Sequence, residues 1–187
     1  MSQPVSIKTK DNQSVILRKL NANDIDRLVE YLHHLSDETK HRFAPHHYDK
    51  KSIVEFYSWP NENTGFVTEI AEHAKIIAYS IIKCGYLQHD KHRLESYGLK
   101  PDEMKCASFA PSVADDWQSI GVGKKMLEYI LKELKMAGLQ HVILWGGVQS
   151  KNEQAVNFYR KAGFKTLGEF EYFGSNYDMM LTMKDEE

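Results

Sequence analysis

The chain has 187 residues, enough for one domain with a proper core, and its 42% hydrophobic and 11% aromatic content suits a globular protein. Lys and Arg number 24 against 26 Asp and Glu, a formal net charge of −2, which argues against a nucleic-acid binder. No apolar run nears the ~18 residues of a membrane span, and Met1-Ser2-Gln3-Pro4 lacks a basic-then-apolar leader, so a cytoplasmic protein with no membrane partner is expected.

Ser14 to Lys19 is a strand candidate. Asn21 then offers a helix cap, with Asp24 three residues on and Ile25, Leu28, Val29 and Leu32 at helical spacing. Ser36-Asp37-Glu38-Thr39 starts a second short helix by the same capping logic. Asp49 caps a third, which Trp59-Pro60-Asn61 ends. Gly65 to Ala71 and Lys75 to Lys83 form two strands around a tight turn near Glu72-His73. Gly85 to Lys105 is polar and weakly patterned, long for a hairpin connection, and reads as a functional flap or a mobile excursion.

Next come a strand (Cys106 to Val113), the run Gln118-Ser119-Ile120-Gly121-Val122-Gly123-Lys124-Lys125, and a helix to about Met136. That helix has Met126, Leu127, Ile130, Leu131 and Leu134 on its apolar face and Gly138 as its stop. His141 to Val148 is near-continuously apolar, as for a strand buried on both faces, so strand, helix and strand imply a parallel pair. Asn152 caps a last helix whose core face is Ala155, Phe158, Tyr159 and Ala162, with Gly163 as its stop. Phe164 to Tyr172 and Tyr177 to Met183 then pair around Gly174-Ser175-Asn176.

Residues 118–125 carry the chemistry. Two glycines one residue apart, where a loop becomes a helix, let a bulky anion reach backbone N–H groups, and Lys124 and Lys125 add positive charge. A pyrophosphate cradle follows. It is not a Walker A loop, because Gln118 stands at the first glycine and Lys125 at the Ser/Thr. Nor is it a dinucleotide fingerprint, because Met126 stands at the third glycine. A nucleotide-phosphate enzyme therefore rests only on Gly123-Lys124.

Q-x-x-G-x-G at Gln118 to Gly123, followed by N-x-x-A-x-x-x-Y-x-x-x-G-F at Asn152, Ala155, Tyr159, Gly163 and Phe164, resembles the GNAT acyltransferase superfamily. The resemblance implies one acyltransferase domain over residues 1–187. Its fold would be α/β (α+β), a mixed central sheet of six to seven strands with a splayed parallel pair (106–113, 141–148) and flanking helices. It implies acetyl-CoA as donor, with the pyrophosphate on the amides of Gln118, Ser119, Ile120, Gly121, Val122, Gly123 and Lys124. The pantetheine arm would lie along Ser112 and Val113, with Asn152, Ala155 and Phe158 also on the cofactor. Pro111 fits the strand bulge that splays the pair in the family. Ala107-Ser108-Phe109-Ala110 through Asp115-Asp116-Trp117-Gln118 is also similar to bacterial protein-lysine acetyltransferase domains, with Ser108 where those carry a glutamate.

The implied reaction is transfer of an acetyl group to a primary amine of a small molecule or protein, by direct attack through a tetrahedral intermediate. Tyr159 is then the general acid for the CoA thiolate. A backbone N–H near Ala110 to Ser112 is the oxyanion donor, and Glu69 is one candidate base beside a water chain. The alternative is a non-catalytic acyl-CoA binding or sensing module on the same fold. His33, His34, His41, His46 and His47 cluster without the spacing of a zinc site, so no metal is expected. Cys84 and Cys106 make no disulfide framework and are expected to be free. A homodimer is allowed by analogy with the family.

Overall fold

The computed structural model describes residues 3–58, 62–99 and 102–183. Trp59-Pro60-Asn61, the expected stop of the third helix, lies outside them. The chain divides into two compact units, Met1–Ile82 with Ala110–Glu133, and Lys83–Phe109 with Leu134–Glu187.

The first unit is built on β1 (Val5–Lys8), β2 (Ser14–Lys19), β3 (Asn63–Ile70) and β4 (Ile76–Cys84), hydrogen-bonded in that order. β1 runs antiparallel to β2 and β2 to β3, with Val15 opposite Ile70 and Leu17 opposite Thr68. The helices α1 (Ile25–His34), α2 (Asp37–Arg42) and α3 (Lys50–Phe56) follow their expected caps. Asn21 and Asp24 form a reciprocal capping box, Ser36 accepts from the Thr39 amide and Asp49 from the Ser52 amide. Buried Leu17, Leu28, Leu32, Ile53, Val67, Ile77 and Tyr79 form the core with Met126 and Ile130 of α5 (Val122–Met136). The Ser80 hydroxyl donates to the Met126 sulfur at 3.3 Å, and Phe66 meets Tyr129 edge-on.

The second unit centres on β5 (Cys106–Val113), of which it holds the first half. Cys106 to Phe109 run parallel to His141 to Leu144 of β6 (His141–Leu144). β6 is antiparallel to β9 (Ser175–Thr182), which also pairs antiparallel with β7 (Val148–Gln149) and β8 (Lys165–Glu171). α4 (Gln88–Ser96) and α6 (Glu153–Lys161) complete it. Leu94, Cys106 and Ile143 form a core cluster in it, packed by Tyr86, Leu167 and Met180. The class is mixed α/β, with mostly antiparallel strands and one parallel pair.

Four expectations need correction. The described residues hold nine strands rather than six to seven. β1 escaped notice because it is a short, exposed edge with no inward alternation. The apolar run 141–148 is two strands, since Gly146 and Gly147 sit at φ 66° and 74° and turn the chain between them. Within segment 85–105, residues Gln88–Ser96 form α4, whose Leu94 is in the core, where no helix was expected. The buried face of α6 is Val156 and Tyr159, with Ala155, Phe158 and Ala162 only half-buried.

Candidate functional site

Within the first unit, β5 ends at Val113 and the chain turns through one 3-10 turn, Asp115–Trp117, into the cradle. The Ala114 amide donates to the Ile77 carbonyl at 2.8 Å and the Gln118 side chain donates to the Val113 carbonyl at 3.2 Å. Ser119 has φ 64° and Gly121 φ 97°, so two left-handed residues flank Ile120 before α5 begins. Only the Lys10 stem, at 3.8 Å, would meet a Cβ at Gly121, so backbone angle rather than space calls for glycine there. Val122, Gly123 and Lys124 form the first turn of α5, where N–H groups lack intrahelical partners. The ammonium groups of Lys124 and Lys125 lie 3.8 and 3.0 Å from Glu128, along the helix.

Asp115 fastens the approach to the cradle. Its carboxylate accepts from the Ser36 amide and hydroxyl and from the Thr39 hydroxyl, at 3.0, 2.8 and 2.7 Å, joining the start of α2 to this turn. Burial works against the charge, but those hydrogen bonds outweigh it and hold the carboxyl below the usual range.

Ser112 is buried, and its hydroxyl donates to the Tyr79 carbonyl at 3.3 Å. Its one proton is thereby used, so Tyr31 donates to it at 2.9 Å. Val113 is half-buried, with its carbonyl on Gln118. In the second unit, the Trp145 amide donates to the Phe109 carbonyl at 3.0 Å, and the register with β6 ends at Phe109 opposite Leu144. Pro111, without an N–H, is the second residue after that point in the chain.

Glu69 is buried on β3, and its carboxylate is taken up by arginines. Arg18 forks onto it at 2.7 and 3.0 Å and Arg27 adds a bond at 2.9 Å. The same two arginines hold Asp24, Arg18 at 2.6 and 2.8 Å. Burial raises Asp24, but Arg18, the Asn21 amide and Arg27 together outweigh it and keep the carboxyl below the usual range. Sequence reasoning saw Asp24 only as a cap; the alternation of Arg18 with Val15 and Leu17 was the available sign that a charge faces a partner.

Beside these, Tyr79 on β4 joins His46 and Tyr57 by side-chain hydrogen bonds, with Phe43 and Phe56 against their rings. His46 stood among the histidines of the first half with no role. No sequence spacing pairs it with Tyr79, 33 residues away.

In the second unit, the Asn152 side chain accepts from the Ala155 amide at 3.2 Å as the cap of α6. Tyr159 packs between Phe158 and Phe164, each ring 5.3 Å away. Its hydroxyl has no hydrogen-bond partner among the described residues, and burial pushes it well above the ordinary phenol range. Ser108 is fully buried and donates to the Gly85 carbonyl at 3.1 Å. The sequence reading missed a second charge cluster. Arg93 of α4 bridges Asp90 and Asp178 and lies 3.8 Å from the Phe170 ring centre, and Tyr97 donates to Asp178 at 2.9 Å. Burial raises the Asp90 carboxyl even though Arg93 opposes it.

Cys84 is exposed and Cys106 buried, and neither forms a disulfide among the described residues. Among the described residues no three His, Cys, Asp or Glu side chains converge as a metal site, and no helix is long and apolar enough to cross a membrane.

The model of the acetyltransferase (GNAT) family matches residues 29–164, close to three quarters of the sequence. The chain belongs to the GNAT acetyltransferase family. Family membership makes it an acetyltransferase and brings acetyl-CoA as the family's donor. No curated protein matches the sequence. Among solved structures it is similar to the GNAT domain of S. lividans PAT, with 20% identity over 96% of this chain and 97% of that one and a TM-score of 0.73. It is also similar to smu.2055 from Streptococcus mutans UA159, with 21% identity over 89% and 98% and a TM-score of 0.67. A third is an aminoglycoside acetyltransferase in complex with coenzyme A and kanamycin, with 17% identity over 90% and 94% and a TM-score of 0.66. At these identities the likeness is one of GNAT fold.

Proposed function

We propose that this GNAT protein is an N-acetyltransferase moving the acetyl group of acetyl-CoA to a primary amine of a small molecule or protein, by direct attack of the amine on the thioester. The observation that carries the reading is the pair of left-handed residues, Ser119 and Gly121, opening onto the first turn of α5 inside the family match. Backbone N–H groups at a helix start suit a diphosphate. The whole chain, 1–187, is read as one acyltransferase domain, and the family match includes residues of both units.

Acetyl-CoA, when bound, supplies an activated acyl carbon and a thiolate leaving group. The protein's part is to hold, orient and move protons. Ser119 to Lys124 take the diphosphate on their amides, while the Gln118 amide is held by the Asp115 carbonyl at 3.3 Å. The hydroxyl of Ser112 is committed to Tyr79, so Ser112 and Val113 serve the pantetheine arm through their backbone. Asn152, Ala155 and Phe158 are assigned to the cofactor by the family motif. A backbone N–H between Ala110 and Ser112 faces the developing oxyanion. Tyr159 is the proton donor to the departing thiolate: burial keeps its phenol protonated, and its hydroxyl is not committed elsewhere.

Glu69 is a poor base on this reading, because two guanidinium groups use its lone pairs. Ser108 is no base either, with its hydroxyl in the core. Deprotonation of the amine is assigned to a water chain. A primary amine as acceptor agrees with the kanamycin complex of one structural neighbour. Two cysteines outside any disulfide suit the reducing cytoplasm.

Calorimetric titration with acetyl-CoA, followed by CoA release across a panel of primary amines, tests the proposal. Micromolar binding that Gly121→Glu abolishes, together with turnover on at least one amine, is expected. Tight binding without turnover on any amine would favour a sensor of acyl-CoA.

A further inference from the structure

The two cradle lysines evident in the sequence turn toward Glu128. The lysine that meets the cradle comes from elsewhere. Lys10 sits in the turn between β1 and β2, outside the family match at 29–164. That turn is built, not loose. The Thr9 amide donates to the Gln13 carbonyl at 3.0 Å, the Gln13 amide donates to the Thr9 hydroxyl at 3.0 Å, and Asn12 adopts φ 65°. From it Lys10 makes two bonds to the cradle. Its backbone N–H donates to the Ile120 carbonyl at 3.2 Å and its ammonium to the Ser119 carbonyl at 3.3 Å. Its stem lies over Gly121. The neighbouring Asp11 is held by Thr9 and Gln13, so the Lys10 ammonium has no carboxylate partner among the described residues.

Peptide units are planar and trans, so a carbonyl and the N–H of the following residue point in opposite directions. Drawing the Ser119 and Ile120 carbonyls toward Lys10 therefore turns the N–H groups of Ile120 and Gly121 to the other side. Two carbonyl oxygens left facing a diphosphate would repel it. With Lys10 holding them, the same two peptides present donors.

We propose that Lys10 is a positioning residue for the acyl-CoA diphosphate: by binding the Ser119 and Ile120 carbonyls it aims two consecutive amides, Ile120 and Gly121, at the phosphate oxygens. This rests on the acyl-CoA reading above. The role explains why Lys124 and Lys125 can be spent on Glu128, and it brings the N-terminal hairpin into cofactor binding.

The test compares wild type with Lys10→Met, which keeps the stem and loses the donor, and Lys10→Arg, which keeps a donor. CoA and dephospho-CoA are titrated by calorimetry. Backbone amide resonances of Ile120 and Gly121 are followed during the titration, and Tm of each free protein is measured. The expected result is about tenfold weaker binding of both ligands by Lys10→Met, roughly 1.4 kcal/mol, with a smaller shift at the Ile120 amide, whose peptide the ammonium holds, a retained shift at Gly121, whose peptide the Lys10 backbone still holds, and an unchanged Tm. Lys10→Arg is expected to bind within about twofold of wild type. Binding by Lys10→Met within about twofold of wild type would overturn the proposal. So would a loss confined to CoA and absent with dephospho-CoA, which would assign Lys10 to the 3′-phosphate. A loss shared by Lys10→Arg and accompanied by a lower Tm would reduce the residue to a structural one. Wild type that binds neither ligand would overturn the acyl-CoA reading itself, a different outcome from wild type that binds while Lys10→Met is unaffected.

Discussion

The hydroxyl of Tyr79 donates to Nε2 of His46 at 3.0 Å. The direction follows from the other ring nitrogen: Nδ1 lies 2.8 Å from the His47 carbonyl, which only accepts, so Nδ1 carries the proton and Nε2 the lone pair. Tyr57 then donates to Tyr79. The imidazole is neutral in this arrangement.

Burial lowers the His46 pKa below its ordinary 6.5, the His47 side chain lowers it further, and the His47 carbonyl and Asp49 oppose the shift. Between the folded value and 6.5 the unfolded chain holds the proton and the folded chain does not. Stability is therefore lost as pH falls through 6.5 toward the folded value. Melting temperatures of wild type and His46→Gln between pH 7.5 and 5 check this. Wild type should lose more Tm than the variant on acidification, and parallel curves would remove His46 from the account.

Asp24 is fully buried between Arg18 and Arg27. Asp24→Ala leaves the two guanidinium groups with Glu69 as their shared carboxylate and the Lys19 and Ala74 carbonyls as further acceptors. Breaking a buried ion pair costs about 3–5 kcal/mol. Because Arg27 is partly exposed and Glu69 retains both arginines, the lower end, about 3 kcal/mol, is expected in urea denaturation. A loss under about 1 kcal/mol would mean that solvent screens the cluster.

Gly168 has no room for a side chain: a Cβ there would lie 2.1 Å from the ring of Tyr97. Gly168→Ala must push Tyr97 off Asp178 and is expected to destabilise by about 1–3 kcal/mol, as overpacking does. In a Tyr97→Ala background the same change should cost much less. Equal costs in both backgrounds would show that the ring is not the obstacle.

Tyr159→Phe removes a hydroxyl that has no hydrogen-bond partner among the described residues. Its stability should change by under about 0.5 kcal/mol, in line with a substitution that breaks no contact. If the phenol protonates the thiolate, kcat on an amine acceptor should fall about 10²-fold or more. An unchanged kcat and pH profile would take Tyr159 out of the chemistry.

Where the sequence was readable, a local rule acted alone. Asn21, Ser36, Asp49 and Asn152 cap the helices or turns assigned to them, because a cap needs only the next three residues. Gln118 to Gly123 revealed a loop-to-helix junction through glycine spacing, and the parallel pairing of Cys106–Phe109 with His141–Leu144 followed from strand, helix, strand order. Where reading failed, charge had been buried. α4 carries little apolar pattern because Arg93 and Tyr97 hold it to Asp178, more than 80 residues away, and one-dimensional patterning does not register such a pairing.

The sequence by itself determined the family and the loop-to-helix junction at Gln118 to Gly123, and it singled out Tyr159 as a candidate acid, because each depends on residue types at short, fixed spacing. Only the tertiary structure decided what the charges do. It committed Glu69 to Arg18 and Arg27, turned Lys124 and Lys125 toward Glu128, and placed Lys10 against Ser119 across 109 positions of chain. A charge's partner is set by distance in space, and distance in space between remote residues comes into being only when the chain has folded.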